Sequence, residues 1–126
     1  MRLTRVSVIL ASLLLTGCAT TQNPSAETGP QGTIAYNVPI ESNLPGTKIE
    51  VNYTVIGIAP VTVKIFGDRD GTFHNFGSDE YIVRAYPADT NYYPETKIFK
   101  TGAFGIKDDR IPEKIAFTFD PNTDKH

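Results

Sequence analysis

The sequence predicts an all-β protein, a small β-sandwich of about seven short strands. Three observations point there. Apolar residues fall on alternate positions at Ile49 and Val51 and again at Val61, Val63 and Ile65, the period-2 signature of strands with one buried face. Turn formers recur about every ten residues, the spacing of a sandwich, among them Pro45-Gly46, Gly57-Ile58-Ala59-Pro60 and Asp70-Gly71. The one Ala- and Leu-rich run lies at the start of the chain, and the remainder is too dense in Gly, Pro and β-branched residues to demand a helix.

Residues 1–17 read as a secretory signal. Arg2 and Arg5 form a positive region, Val6 to Leu15 an apolar one, and Leu15-Thr16-Gly17 a small-residue approach to Cys18. The apolar run is about half of the roughly twenty residues that a spanning helix needs, so a transmembrane anchor is the weaker reading. Leu15-Thr16-Gly17-Cys18 resembles the bacterial lipobox. That resemblance implies cleavage before Cys18, a diacylglycerol on its sulfur and an acyl chain on the new amine. Cys18 is the single cysteine, so no intramolecular disulfide is available, and a free thiol in an oxidising compartment would be a liability. Lipidation accounts for it better. Each buried methylene contributes about 0.8 kcal/mol, and two or more chains anchor firmly. Ala19, rather than Asp, follows the cysteine, which in enteric-type bacteria implies sorting to the outer membrane.

The charge balance excludes one class of partner. The chain holds 12 basic and 14 acidic residues. Loss of Arg2 and Arg5 with the signal leaves ten against fourteen, a net charge near −4. Nucleic-acid binding would need a basic stripe to neutralise phosphates. Residues 18–32 read as a lipidated, flexible tether, because no large apolar residue stands between Cys18 and Ile34 to offset the entropy of ordering it. Residues 33–120 are then one small domain, and 121–126 a polar tail.

Within the domain, Thr33–Val38 alternates Ile34, Tyr36 and Val38 as an opening strand. Pro39 interrupts it and argues for an edge position, since proline cannot donate to a ladder. Ile40–Ser42 is a short strand and Leu44-Pro45-Gly46 a turn. Thr47–Asn52 is the best central strand, Asn52-Tyr53-Thr54 a turn, and Val55–Ile58 and Val61–Phe66 the strands on either side of Ala59-Pro60. This order of Pro-Gly-small turn, strand, Gly-x-x-Pro and strand resembles the PEGA domain of bacterial and archaeal envelope proteins. The matching residues are Pro45, Gly46, Thr47, Ile49, Val51, Gly57 and Pro60. The motif's Glu is absent, Thr47 replaces its Ala, and Ala59 stands where Thr is usual. The resemblance covers residues 38–65 well and 81–100 loosely. It implies a prealbumin-like sandwich with no catalytic residues to carry over.

Asp68-Arg69-Asp70-Gly71 faintly resembles the start of a calcium loop, but Phe73 occupies the position that demands glycine, so it reads as a solvated turn. Thr72–Glu80 places Phe73 and Phe76 around His74. These aromatics read either as a lid on one end of the sandwich or as a ligand or glycan surface. Tyr81–Tyr86 is a strand in which Arg84 either clamps a carboxylate or lays its stem over apolar surface beside Tyr86. Pro87–Pro94 is a loop with Tyr92 and Tyr93, read as a sticky pair or as one buried ring and one at the rim. Glu95–Lys100 returns as a strand, Thr101–Pro112 is a long loop, and Lys114–Phe119 closes the domain.

The only histidines are His74 and His126, and no Gly-x-Ser-x-Gly, P-loop or HExxH motif is present. The expectation is a non-catalytic envelope lipoprotein without cofactor or metal. It would be held in the membrane by Cys18 and would bind another envelope protein or give structural support. The alternative is a small-ligand or glycan module using Phe73, His74, Phe76, Tyr92 and Tyr93.

Overall fold

The computed structural model describes residues 24–120. The signal, Cys18 and the C-terminal tail lie outside the described residues. Eight strands follow in order: β1 (Pro24–Thr28), β2 (Ile34–Ser42), β3 (Lys48–Val51), β4 (Thr54–Ile58), β5 (Val61–Gly67), β6 (Glu80–Tyr86), β7 (Glu95–Lys100) and β8 (Ile115–Phe117). They form two four-stranded sheets, one built on β1-β2-β5 with β8 also on β2, the other ordered β4-β3-β6-β7. The protein is an all-β sandwich.

Alternation decides what the sandwich buries. Tyr36, Val38 and Ile40 of β2, Ile65 of β5, and Ile115 and Phe117 of β8 face Ile49 and Val51 of β3 and Val83 and Ala85 of β6. Phe73, Ile111 and Phe119, from outside the strands, complete the core. Each such aliphatic or aromatic side chain contributes about 1.5–3 kcal/mol on full burial. The Tyr36 hydroxyl reaches the edge of this core and donates to the Asp68 carbonyl at 2.5 Å.

Two expectations are corrected. The stretch 18–32, read as tether, contains β1 and a short turn at Pro30–Gly32. β1 has no apolar pattern because its order comes from pairing with the edge of β2, Pro24 opposite Tyr36 and Thr28 opposite Ile34. Backbone hydrogen bonding leaves no mark in hydropathy. Pro39, read as a break at a sheet edge, instead lies inside a continuous β2, opposite Thr62 of β5. On the other side of β2 the partner changes around it. β1 ends its pairing at Tyr36, and the parallel partner β8 begins at Ile40 opposite Ile115. No register partner faces Pro39 there, so its missing N–H costs no ladder bond.

Candidate functional site

The β3–β4 hairpin turns on two residues, Asn52 and Tyr53, both with positive φ (47° and 69°), between paired Val51 and Thr54. This is the arrangement of a two-residue type I′ turn, whose usual occupants are Asn-Gly. Asn52 fits it and is used further. Its N–H donates to the Ile82 carbonyl, and its side-chain oxygen accepts from the Ile82 N–H, both at 2.8 Å. Tyr53 does not fit. A bulky side chain in this backbone region costs roughly 1–2 kcal/mol, yet the Tyr53 ring is 70% exposed.

What that ring joins is the outer face of the β4-β3-β6-β7 sheet. The Arg84 guanidinium lies 5.1 Å from the Tyr53 ring centroid and bonds the Glu50 carboxylate at 3.3 Å. The Tyr86 hydroxyl donates to the other Glu50 oxygen at 2.9 Å. That hydrogen bond, with burial and the Glu50 charge, pushes the Tyr86 phenol above its ordinary value. Arg84 thus clamps a carboxylate of its own chain. Around this polar centre, Val55, Ile58 and Ile98 are each about half exposed, and register places Val55 opposite Glu50, and Ile58 opposite Lys48. On the opposite outer face Asn37, Glu41, Thr62, Lys64 and Ala116 are exposed, and Lys64 pairs with Glu27 across β2. One face is mainly polar; the other sets half-exposed Val55, Ile58 and Ile98 beside Lys48 and Thr96 around a Tyr-Arg centre.

The structure does not bring the five sequence-predicted aromatic-loop residues together. Phe73, His74 and Phe76 precede β6, whereas Tyr92 and Tyr93 follow it, at the other end of the sandwich. Phe73 is core, 1% exposed, stacked on Phe99 and tilted against Tyr81, each 5.1 Å away. His74 is fixed from both sides, with Nδ1 2.8 Å from the Asp68 carboxylate and Nε2 2.9 Å from the Gln31 side chain. Phe76 leans on the His74 ring at 4.6 Å and stays 46% exposed. Tyr92 packs edge-on against Phe119, while Tyr93 is 57% exposed, one ring in and one at the rim.

The Asp68–Thr72 segment is a turn. The Asp68 N–H donates to the Thr72 carbonyl, and Gly71 sits at φ 91°. The Asp70 carboxylate accepts from the Thr72 hydroxyl at 2.7 Å, which chiefly holds its pKa below the ordinary value. Among the described residues, no three His, Cys, Asp or Glu side chains gather closely enough to hold a metal.

A cleft of about 330 Å³ opens between the sheets at the Phe73 end, between β5 and the β3–β6 pair. Comparison with protein-family models, curated proteins and solved structures finds no match to this chain.

Proposed function

We propose that the chain is a lipoprotein of the cell envelope, anchored by acyl chains on Cys18 and carried to the outer membrane. Its PEGA-like sandwich is a non-catalytic module that binds another envelope protein. The anchor rests on the signal-like residues 1–17 and the lipobox-like Leu15-Thr16-Gly17-Cys18.

The observation that carries the binding role is Tyr53. A turn position suited to glycine holds a tyrosine whose ring is mostly exposed, and local strain retained in this way points to use. Tyr and Arg are the residue types over-represented at interface hot spots. Here they stand in contact, amid half-exposed Val55, Ile58 and Ile98. The occupant that fits is a folded protein with an apolar patch, since Glu50 and Arg84 at the centre of the face already satisfy each other, and Lys48, lying over the Tyr86 ring, is left to meet a polar rim.

Photoreactive residues at Tyr53 and Val55 in intact cells test this, with Thr62 on the polar face as control. The expected result is one reproducible protein adduct from the first two and none from Thr62. Equal labelling from all three, or no adduct with the protein correctly localised, overturns the assignment. An adduct with a second copy of the chain would make the module self-associating. Cys18→Ser should move the protein from the membrane to the soluble fraction.

A further inference from the structure

The cleft beside β5 has walls unlike the rest of the surface. Val51, Val63, Ile65, Phe73, Phe76 and Tyr81 line it, from both sheets and from the segment that crosses their end. Its charged groups are already engaged: Lys64 with Glu27, Glu80 with Lys100 and His74 with Asp68. Lys64 and Glu80 are moreover of opposite sign, so the cleft offers no uncompensated charge to an ion. One polar group stands apart. Tyr81 is partly buried against the core, and its hydroxyl has no hydrogen-bond partner among the described residues, whereas the hydroxyls of Tyr36 and Tyr86 are both bonded. Burial alone lifts its pKa, with no neighbouring group contributing. That hydroxyl is left free to donate to an acceptor carried by a ligand.

Volume sets the size of what would satisfy it. An apolar cavity of about 150 Å³ accepts benzene. At the same space per atom, about 330 Å³ accepts roughly a dozen non-hydrogen atoms. Ligand sites are commonly clefts of this scale, mostly apolar with a few polar groups that fix orientation.

We propose that this cleft binds a small uncharged molecule of about a dozen non-hydrogen atoms, apolar over most of its surface and carrying one acceptor for the Tyr81 hydroxyl. Phe76 forms the movable side of the site, since it is half exposed while Phe73 is locked in the core and His74 is held by Asp68 and Gln31. The site is independent of the Tyr53 face and would stand if that face bound nothing.

Methyl and amide NMR of the full chain, purified as the cell produces it, tests the assignment with two probes of nearly equal shape. 2-Acetylnaphthalene carries a carbonyl acceptor, and 2-ethylnaphthalene does not. Saturable shifts are expected at Val51, Val63, Ile65 and Tyr81, with the acetyl probe bound about three- to tenfold tighter, the range of one neutral hydrogen bond. Tyr81→Phe should bring the two probes to equal affinity without changing the dispersion of the spectrum. Val63→Phe, which fills the cleft from the half-buried β5 side, should abolish binding of both. No saturable shift, shifts mapping elsewhere, or an acetyl preference unchanged in Tyr81→Phe would each overturn the proposal.

Discussion

The side chain of Asn43 clasps the backbone of Phe119. Its amide nitrogen donates to the Phe119 carbonyl, and its oxygen accepts from the Phe119 N–H, both at 2.9 Å. The Asn43 N–H meanwhile donates to the Phe117 carbonyl at 3.2 Å. The side chain thereby extends the parallel β2–β8 ladder beyond the last paired residues, Ser42 and Phe117. Asn43→Ala should cost about 1–2 kcal/mol, two hydrogen bonds at near-average worth. A urea midpoint shift with unchanged slope would report it. Asn43→Asp keeps the acceptor but turns a donor into a second acceptor facing a carbonyl, and should cost at least as much.

Phe73 and Phe104 separate burial from hydrophobicity. Phe73 is sealed in the core, and Phe104 is 95% exposed on the long loop before β8. Phe73→Ala should destabilise by about 3–5 kcal/mol. Phe104→Ala should stay within about 0.5 kcal/mol. Thermal melts of the two variants side by side would check both.

Tyr53→Gly should raise stability by up to about 1 kcal/mol, because glycine adopts the turn backbone without strain and the lost ring contact with Arg84 is an exposed one. The same variant should lose capture of the envelope partner. Stability rising while crosslinking from Val55 falls is the expected pair of results.

At high pH the tyrosines should govern stability. Burial raises Tyr81 above its ordinary value, burial chiefly does the same for Tyr36, and the bond to Glu50 does so for Tyr86. A raised value in the folded state favours the neutral phenol there. The contribution is therefore complete below about pH 10, the unfolded value, and is lost as pH rises through the higher folded value. Tyr81→Phe removes its share, so the decline in urea midpoint between about pH 8 and about pH 11 should be shallower.

Much of the architecture is legible in the sequence, for a physical reason. β3, β5 and β6 each bury one face, so alternation at Ile49 and Val51, at Val63 and Ile65, and at Tyr81, Val83 and Ala85 reads correctly. β7 is found at Glu95–Lys100 as expected. β1 was invisible because it borrows its order from the open edge of β2. The Tyr53 face is not legible in hydropathy, because it joins a turn residue to side chains on three different strands. A signal existed: Asn followed by a non-glycine between two strand-like runs is a type I′ turn with its glycine replaced. Phe73, His74 and Phe76 line the inter-sheet cleft, whereas β6 spans the sandwich and sets Tyr92 and Tyr93 at the far end.

The sharing of one β2 edge by β1 and β8 has a mechanical consequence. A pull on β1 is resisted by its short pairing with β2, the Lys64–Glu27 ion pair and the Gln31–His74 hydrogen bond. β8 pairs with a different stretch of β2, from Ile40 onward, so peeling β1 away leaves the β8 seam intact. Residues 24–32 then become slack, adding roughly 30 Å of reach at about 3.4 Å per residue. Stretched from its N terminus in an optical trap, the domain should lengthen by a step of that size before the core yields. The first strand would act as a stored length of line, paid out under load and rewound when the load is removed.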